Sequence, residues 1–256
     1  MPPMTQGGTI LQLSDPHMGA DWDGLDPVAT LSAVIDGVGE LRPRPAAVLV
    51  SGDLAEHAVD AEYEQLVDAL APIEAPVYVL PGNHDDRAGL RRHFDLPGTG
   101  DEPIQYAAEI GDLRLVVVDT KRNGADDGEL GPERLEWLET TLGAEPDATT
   151  VVAMHHSPLV TGIQAMDAIG LGNADLEALE RVVARNPQVQ RLVGGHVHRA
   201  IAGELAGKAV LAAPSTYMQL ALDFEADKLV FSDDPPGFAV HVAIDGEVIS
   251  HVKAVG

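Results

Sequence analysis

The sequence predicts an α/β fold in which two packed β-sheets are flanked by helices. Strand-like apolar runs alternate with amphipathic stretches in the first half of the chain, and the C-terminal part is rich in strand patterns. β-α-β units followed by a strand-rich tail fit two sheets with helices on their outer faces. At 256 residues the chain is long enough for one domain with a substantial core. We expect a single domain over residues 1–256, in which the β-rich tail 216–256 shapes the pocket or an oligomer contact.

Repeated strand–helix units are predicted for the first half of the chain. A first strand at residues 9–13 precedes a helix over 27–41, whose apolar residues recur at helical spacing. The continuous apolar run at 47–50 is typical of a strand buried on both faces. The remaining elements predicted in this half are a helix around 62–67, a strand at 77–80 and a helix over 86–94.

For the second half of the chain, the sequence pattern predicts a hairpin followed mostly by strands. Residues 104–110 and 113–119 are strand-like and flank a two-residue Gly111–Asp112 turn. Helices are predicted after Gly131–Pro132 and over 174–184. Further strands are predicted at 150–154, 189–193, 209–213, 238–244 and 248–252.

The charge of the chain restricts its partners. Against 16 Lys and Arg stand 41 Asp and Glu, which gives a net charge of −25 with His neutral. Such a field repels polyanions, so we expect no extended nucleic-acid surface. A small phosphate ester would also be repelled unless a local positive centre, such as bound cations, overrides the field.

Composition also restricts compartment and chemistry. Cysteine is absent, which excludes disulfides, thiolate zinc sites and a cysteine nucleophile. The first eight residues contain no basic region, and no apolar segment of 18 residues occurs anywhere. We therefore expect no secretory signal, no membrane span and a cytoplasmic location.

Polar side chains of the metal-ligand type follow successive apolar runs. Because the carboxyl ends of parallel strands meet at one sheet edge, these side chains can assemble one site. Taken alone, each block has an ordinary interpretation as a helix cap, a turn or a structural histidine. Their joint occurrence favours a metal site. The blocks are Asp15-Pro16-His17, Gly52-Asp53, Gly82-Asn83-His84-Asp85, His155-His156 and Gly195-His196-Val197-His198.

The residue types suit a pair of metal ions. A carboxylate can serve two ions at once, so Asp53 suits a bridging position, and Gly52 lets the backbone approach. Asp15 and His17 point to the same side if the segment is still extended, because strand side chains repeat every two residues. Nitrogen and oxygen ligands without sulfur fit Fe, Mn, Co or Zn.

The blocks match the motifs D-x-H, GD, GNH[DE], H and GHxH, so the chain resembles the calcineurin-like metallophosphoesterases. Over residues 8–215 it most resembles the bacterial class III cyclic-nucleotide phosphodiesterases within that family. Two features depart from this pattern: the chain has His155-His156-Ser157-Pro158 where His-His-Pro-Pro is frequent, and the tail beyond Ser215 is poorly matched. The strings that carry the resemblance are Leu13-Ser14-Asp15-Pro16-His17, Ser51-Gly52-Asp53-Leu54, Pro81-Gly82-Asn83-His84-Asp85-Asp86-Arg87 and Val118-Asp119-Thr120.

The resemblance implies a four-layer α-β-β-α sandwich, the metallophosphoesterase fold, with a dinuclear metal centre. It implies that His84 is catalytic and acts on the phosphoryl oxygen or leaving group, together with Asn83 as a substrate contact. Asp85 is expected to orient the His84 ring. A hydroxide that bridges the two metals is the implied nucleophile. The implied ligands are Asp15, His17, Asp53 and His198 for the first metal, and Asp53, Asn83, His155 and His196 for the second.

The implied function is a dinuclear phosphodiesterase for a small phosphodiester, with a 3′,5′-cyclic nucleotide such as cyclic AMP favoured. The alternative is a glycerophosphodiesterase or another small-molecule phosphodiesterase or phosphomonoesterase. A non-catalytic binding scaffold is disfavoured because every motif residue is intact. Dimers are common among the resembled proteins, so a homodimer is expected. We further hypothesise that residues 159–173 line the substrate cleft, and that His57 and His156 are the other histidines closest to the site.

Overall fold

The computed structural model describes residues 8–256, which contain six helices and thirteen strands. The expectation of no secretory signal concerns residues 1–8, most of which lie outside the described range. The helices are α1 (Pro27–Gly39), α2 (Asp60–Leu70), α3 (Arg87–His93), α4 (Gly131–Ala144), α5 (Gln164–Asp167) and α6 (Asn173–Arg185). The strands are β1 (Thr9–Leu13), β2 (Ala47–Val50), β3 (Val77–Val79), β4 (Tyr106–Ile110), β5 (Leu113–Val117), β6 (Thr150–His156), β7 (Val189–Gly195), β8 (Ile201–Leu205), β9 (Lys208–Ala212), β10 (Gln219–Leu220), β11 (Phe231–Ser232), β12 (Gly237–Ile244) and β13 (Glu247–Ala254).

Two mixed sheets form the centre of the molecule, as the sequence predicts. The first has the order β13-β12-β1-β2-β3, in which β1, β2 and β3 are parallel and β12 and β13 are antiparallel additions. The second has the order β4-β5-β6-β7-β9-β8, with four parallel central strands and antiparallel strands at both edges. A small antiparallel ribbon, β10–β11, stands apart from both.

Side chains alternate along each strand and thereby separate the layers. Ile10 of β1 belongs to the apolar cluster between the two sheets, which also contains Leu115 of β5 and Val193 of β7. Its neighbour Leu11 belongs instead to the cluster that joins the first sheet to α1, α2 and α3. This period of two is the ordinary geometry of a strand buried on both faces.

Helices cover the outer face of each sheet. Leu31 of α1 and Leu66 of α2 pack on the first sheet, and Leu138 of α4 and Leu179 of α6 pack on the second. The order of layers is therefore helix, sheet, sheet, helix, which confirms the predicted four-layer sandwich. No helix within residues 8–256 is both long enough and apolar enough to cross a membrane.

Several small elements were not predicted. β8 has the sequence Ile-Ala-Gly-Glu-Leu, and its glycine and glutamate hid the strand pattern, yet it pairs along its whole length with β9. The segment 159–173 contains one helical turn, α5, which is too short to show periodicity. The ribbon strands β10 and β11 are two residues each. All three depend on tertiary contacts rather than on local sequence preference.

Candidate metal centre

The predicted ligands lie together at one end of the two sheets. They lie at or just after the carboxyl ends of parallel strands from both sheets, which lie side by side where the sheets pack. Six ionisable side chains of this group are buried, so the structure has withdrawn them from water. Such burial is unfavourable unless the groups are paired or bind an ion. The six are Asp15, His17, Asp53, His155, His196 and His198.

Backbone strain is concentrated at the same positions. Nine non-glycine residues among 8–256 have positive φ, and five of them are predicted ligands. This conformation is uncommon for residues with a side chain, and it is found mainly at functional sites. The five are Asp15 (φ 51°), His17 (φ 44°), Asp53 (φ 49°), His196 (φ 68°) and His198 (φ 49°).

These angles correct the extended geometry expected for Asp15 and His17. β1 ends at Leu13, and both residues lie beyond it in left-handed conformation. Their side chains therefore converge through a strained turn and not through the alternation of a strand. The turn is held by the amides of Asp15 and His17, which donate to the carbonyls of Gly52 and Asp53 at 3.1 Å and 3.0 Å.

One cluster joins Asp15, His17, Asp53 and His198, whose ligand atoms all lie within 4.8 Å of one another. The Nε2 atoms of His17 and His198 are 3.0 Å apart. Asp53 Oδ2 is 3.6 Å from His17 Nε2, and Asp15 Oδ1 is 3.6 Å from His198 Nε2. This is the set that the resemblance implies for the first metal.

A second group lies on the other side of Asp53. His155 Nε2 is 3.3 Å from Asp53 Oδ2 and 3.1 Å from Asn83 Oδ1. The rings of His155 and His196 are 5.1 Å apart. Asp53 therefore faces both groups, which is the position expected of a bridging carboxylate.

Each of the four histidines is oriented by one ring nitrogen. Nδ1 of His17 donates to Glu56 Oε2 at 2.7 Å, and Nδ1 of His155 donates to the Ser51 carbonyl at 2.9 Å. These bonds fix the ring orientation and direct the other ring nitrogen toward the centre, as in metal-binding histidines. In the same way, Nε2 of His196 donates to the Ile169 carbonyl, and Nδ1 of His198 donates to the Met218 carbonyl.

Two glycines make room for this arrangement. Gly52 has φ +95°, and a Cβ there would collide with the His155 ring. A Cβ on Gly82 would collide with the Asp53 side chain. Close packing therefore requires glycine at both positions, and the positive φ requires it at position 52 as well.

The electrostatic field of the centre favours positive charge. Burial raises the pKa of Asp53, but His155 and His17 outweigh it and hold that pKa well below its usual range. Burial lowers the pKa of His155, but Asp53 and Asp15 raise it to about 9. At His196, burial and the neighbouring His156 and His155 lower the pKa well below its usual value, which keeps the ring in its neutral, ligating form.

His84 lies at the edge of the centre, and its side chain is 31% exposed. Its Nδ1 donates to the Glu56 carbonyl at 3.1 Å and lies 3.4 Å from Glu56 Oε2. The backbone N–H of His84 donates to Asp53 Oδ1 at 2.9 Å. The residue is therefore anchored to the centre while its ring remains open to the adjoining cavity.

The expected contact between Asp85 and His84 is not formed, which corrects that prediction. Asp85 is buried, and its carboxylate accepts hydrogen bonds from the backbone N–H groups of Leu54, Ala55 and Gly82. Burial and Asp53 raise the pKa of Asp85 to about 6, against the lowering effect of these N–H donors. Asp85 therefore links the loop after β2 to the loop after β3. The acidic side chain beside the His84 ring is that of Glu56.

Of the two further histidines expected near the site, His156 adjoins it: its ring is 4.4 Å from that of His196, and it forms a candidate ligand cluster with His155 and His196. His57 belongs to no such cluster within residues 8–256. Nε2 of His156 donates to the Asp126 carbonyl at 3.0 Å, and its Nδ1 accepts from the Thr120 hydroxyl at 2.9 Å. Burial and His155 lower the pKa of His156 to about 3, so its ring is neutral and both nitrogens are occupied. His57 pairs with Glu62 at 2.7 Å, and its side chain is 65% exposed.

Two cationic residues for which no role is predicted support the Asn83 loop. Arg87 is buried and forms two hydrogen bonds to the Asp119 carboxylate, at 2.7 Å and 3.0 Å. Lys121 donates from Nζ to the Asn83 carbonyl at 2.7 Å. These cations belong to motif strings or adjoin them, but no sequence pattern indicated their partners.

A cavity of about 280 Å³ opens beside the centre. Its polar floor consists of His17, Asp53, Asn83, His84, His196 and His198. Its apolar wall consists of Trp22, Met166, Ile169, Val197, Leu220, Leu229 and Phe231. Met166 and Ile169 come from the segment 159–173 and the last three from the tail, so both regions contribute to the cavity. Trp22 and Phe231 carry no motif, and sequence reasoning missed them.

The donor geometry fits bound cations. In neutral rings with Nδ1 protonated, the Nε2 lone pairs of His17 and His198 would face each other at 3.0 Å. At His155, Nε2 faces two further acceptors, Asp53 Oδ2 and Asn83 Oδ1. Converging acceptors of this kind are stabilised by positive charge between them, and imidazole with carboxylate and amide oxygen suits first-row divalent ions.

Comparison with protein families identifies the chain. Residues 8–200 match the family model described as calcineurin-like phosphoesterase. The chain belongs to that family. Calcineurin-like phosphoesterases use a dinuclear metal centre, and the two groups around Asp53 supply residues able to bind it. This chain is therefore a metal-dependent phosphoester hydrolase.

Relatives of this calcineurin-like phosphoesterase carry phosphodiesterase names. It is 30% identical to the probable glycerophosphodiester phosphodiesterase GpdQ of Arcobacter nitrofigilis, over 96% of this chain and 93% of the relative. It is 31% identical to the 3′,5′-cyclic adenosine monophosphate phosphodiesterase CpdA of Pseudomonas aeruginosa, over 89% of this chain and 84% of the relative. The corresponding protein of Escherichia coli K12 is 30% identical over 82% and 76%.

Solved structures of the same fold are more distant in sequence. A purple acid phosphatase from yellow lupin, Lupinus luteus, has a TM-score of 0.72 and 15% identity, over 100% of this chain and 52% of the other. A dimetal phosphatase from Danio rerio has a TM-score of 0.68 and 15% identity, over 97% and 99%. At this identity the likeness shows the fold alone.

Proposed function

We propose that this protein is a dinuclear phosphodiesterase whose substrate is a small 3′,5′-cyclic nucleotide such as cyclic AMP. The observation that carries the proposal is the cavity, in which a floor of predicted ligands adjoins an apolar wall. The floor suits a phosphoryl group, and the wall suits the less polar remainder of a nucleotide. The likeness to cyclic AMP phosphodiesterases over most of the chain supports the same assignment.

The ligands proposed for the two ions follow the geometry around Asp53. Asp15, His17, Asp53 and His198 would hold one ion, and Asp53, Asn83, His155 and His196 would hold the other. Fe, Mn, Co and Zn all accept nitrogen and oxygen ligands of these types. When bound, such ions lower the pKa of water and neutralise charge on the phosphoryl oxygens.

The protein's own groups position and protonate the substrate. His84 lines the cavity with Nδ1 donating to the Glu56 carbonyl, so Nε2 can give a proton to the departing oxygen when the ring carries a proton on both nitrogens. Asn83 also lines the cavity, where its side chain can contact a phosphoryl oxygen. Glu56 holds His17 and His84 in one arrangement, so it couples the proposed ligand to the proposed acid.

A glycerophosphodiester is the alternative substrate, favoured by the likeness to a glycerophosphodiester phosphodiesterase. A non-catalytic scaffold on the same fold is disfavoured because the complete ligand set is brought together. A panel of cyclic AMP, glycerophosphoethanolamine, bis(p-nitrophenyl) phosphate and p-nitrophenyl phosphate distinguishes these options, each assayed with Mn²⁺, Fe²⁺, Co²⁺ and Zn²⁺. We expect the highest kcat/KM with cyclic AMP, whereas a higher value for glycerophosphoethanolamine would support the alternative.

A cytoplasmic homodimer completes the proposal. The stretch between β10 and β11 exposes four large apolar side chains, which is unusual for a surface in contact only with water. They are Leu222, Phe224, Leu229 and Val230. Light scattering coupled to size-exclusion chromatography should give twice the chain mass of 27.0 kDa, and a single-chain mass would contradict the dimer.

A further inference from the structure

Two aromatic side chains lie directly beside the proposed ligands. The ring of Trp22 is 4.6 Å from the ring of His17 and 5.9 Å from that of His198. The ring of Phe231 is 5.8 Å from His198 and 5.1 Å from Trp22. A substituent on a phosphoryl group bound at the floor can therefore reach both rings.

Trp22 is held in this position by Tyr217. The backbone N–H of Trp22 donates to the Tyr217 hydroxyl at 3.0 Å, and that hydroxyl donates to the Leu25 carbonyl at 3.0 Å. The rings of Trp22 and Tyr217 also pack at 5.4 Å. The chain has only two Trp, four Tyr and four Phe, so the grouping of Trp22, Tyr217 and Phe231 is a local concentration. A pre-positioned ring loses little entropy on binding.

The chemistry of the cavity restricts what these rings can receive. Its lining, all within residues 8–256, contains no lysine or arginine, and its one acidic residue outside the floor is Asp126. A second anionic group would therefore find no cation. A polyol would find few partners in the apolar wall, and its hydroxyls would lose hydrogen bonds to water. A flat, uncharged ring would instead stack on an aromatic face.

We propose that Trp22 and Phe231 are specificity-determining residues that receive the planar group of the substrate, a nucleobase or an aryl ester. This inference rests on the proposed function, because it concerns the same cavity. It also separates the two candidate substrates, since a cyclic nucleotide carries a planar base and a glycerophosphodiester does not.

Kinetics of Trp22→Leu and Phe231→Leu test the proposal. The matched controls are Trp137→Leu, which removes the other tryptophan, and Phe94→Leu, a partly buried residue at the end of α3 that does not line the cavity. We expect kcat/KM for cyclic AMP and bis(p-nitrophenyl) phosphate to fall about 10-fold, mainly through KM, as for loss of one stacking partner. Turnover of glycerophosphoethanolamine should change less than about 2-fold, a smaller effect than one lost stack. Trp22→Phe, which keeps a ring, should restore part of the loss.

An equal fall for all substrates, or no change in the ratio between planar and alkyl esters, would overturn the role of the two rings. Failure to hydrolyse cyclic AMP would refute the proposed substrate alone, because the ratio of aryl to alkyl ester still reports on Trp22.

Binding offers a readout that does not depend on turnover. Trp137→Phe leaves Trp22 as the sole tryptophan of the chain. We expect AMP to quench its fluorescence and glycerol 3-phosphate to leave it unchanged, because only the former carries a ring. Equal quenching by both anions, or by neither, would contradict the proposal.

Discussion

The polar floor of the cavity is fixed by hydrogen bonds at several strand ends, whereas the apolar wall is fixed mainly by packing of side chains from loops and from the ribbon β10–β11. In the floor, His17, Asp53, His196 and His198 are buried and adopt strained backbone angles. In the wall, Trp22 and Phe231 are only half-buried. The positions of individual atoms are therefore defined in the floor, whereas the wall defines only the shape of the cavity.

This difference suggests separate roles for the floor and the wall of the cavity. Buried groups that must bind cations and a phosphoryl group need defined positions, because electrostatic stabilisation depends on prearranged charges. Apolar contacts are less directional, so they can select a substrate class without fixing its atoms. Changes to the floor should therefore remove activity, and changes to the wall should redirect it.

The largest effect is expected at Asp53, which faces both proposed ligand groups. Asp53→Asn removes the negative charge that both proposed ligand groups share. In other enzymes, loss of one hydrogen-bond donor that stabilises the transition state lowers kcat by about 10²–10³-fold. We therefore expect kcat/KM of Asp53→Asn to fall by more than about 10³-fold. Metal analysis should show fewer bound ions per chain than in the wild type. Asp36→Asn, an exposed change on α1, is the control. Retention of two ions with full activity would contradict a bridging role.

Glu56 tests how the floor is oriented. Glu56→Ala removes the partner of His17 Nδ1, and we expect metal affinity or kcat/KM to fall about 10–100-fold, as for other groups that orient metal-binding histidines. Glu56→Gln keeps an acceptor and should be milder. The exposed Glu64→Gln on α2 serves as control. Equal losses in the Gln and Ala variants would show that charge, and not the hydrogen bond, matters.

The grouping of the floor residues could be predicted because they lie at strand ends in short motif blocks. Both sheets, their flanking helices and the grouping of Asp53 with the histidines agree with expectation. The predicted contact between Asp85 and His84 was wrong, because neighbouring residues in a turn point to different sides. The Asp85 carboxylate points toward backbone N–H groups instead. Glu56 is one acid among 41 and has no distinguishing pattern.

The wall could not be predicted for a physical reason. Trp22 and Phe231 are far apart in the sequence and meet only because β12 pairs with β1 and returns the tail to the start of the chain. Neither residue lies in a periodic segment, and packing contacts of this kind leave no local pattern. The left-handed turn at Asp15 was missed similarly, because it depends on hydrogen bonds to the Gly52 loop.

Asp85 tests whether the floor depends on the backbone of its loops. Asp85→Asn places an amide N–H₂ against backbone donors, and we expect a loss of about 3 kcal/mol in the free energy of unfolding, the order expected when buried donors lose their acceptor. Urea denaturation measures it. The exposed Asp68→Asn on α2 should change stability by less than about 0.5 kcal/mol. A similar small change at Asp85 would show that the loops are held by other contacts.

His241 links the tail to the floor, and the smallest expected effect is the pH dependence of its contribution to stability. Its Nε2 donates to Gln12 Oε1, and the Gln12 amide donates to Ser51 Oγ and to the Gly194 carbonyl, behind two motif loops. Its Nδ1 accepts from the Ser250 hydroxyl. Burial, with a smaller contribution from Arg191, lowers the pKa of His241 to about 3.

The sign of the pH dependence follows from that lowered pKa. An unfolded histidine binds a proton near pH 6.5 and the folded one does not, so stability due to His241 is complete above pH 6.5 and is lost as the pH falls. Between pH 7.5 and 5.5 this loss is about 1.4 kcal/mol. His241→Gln cannot titrate, so the difference in unfolding free energy between variant and wild type should shrink by that amount at pH 5.5. A difference that stays constant with pH would mean that His241 is solvated, and that the tail does not support the floor through a neutral ring.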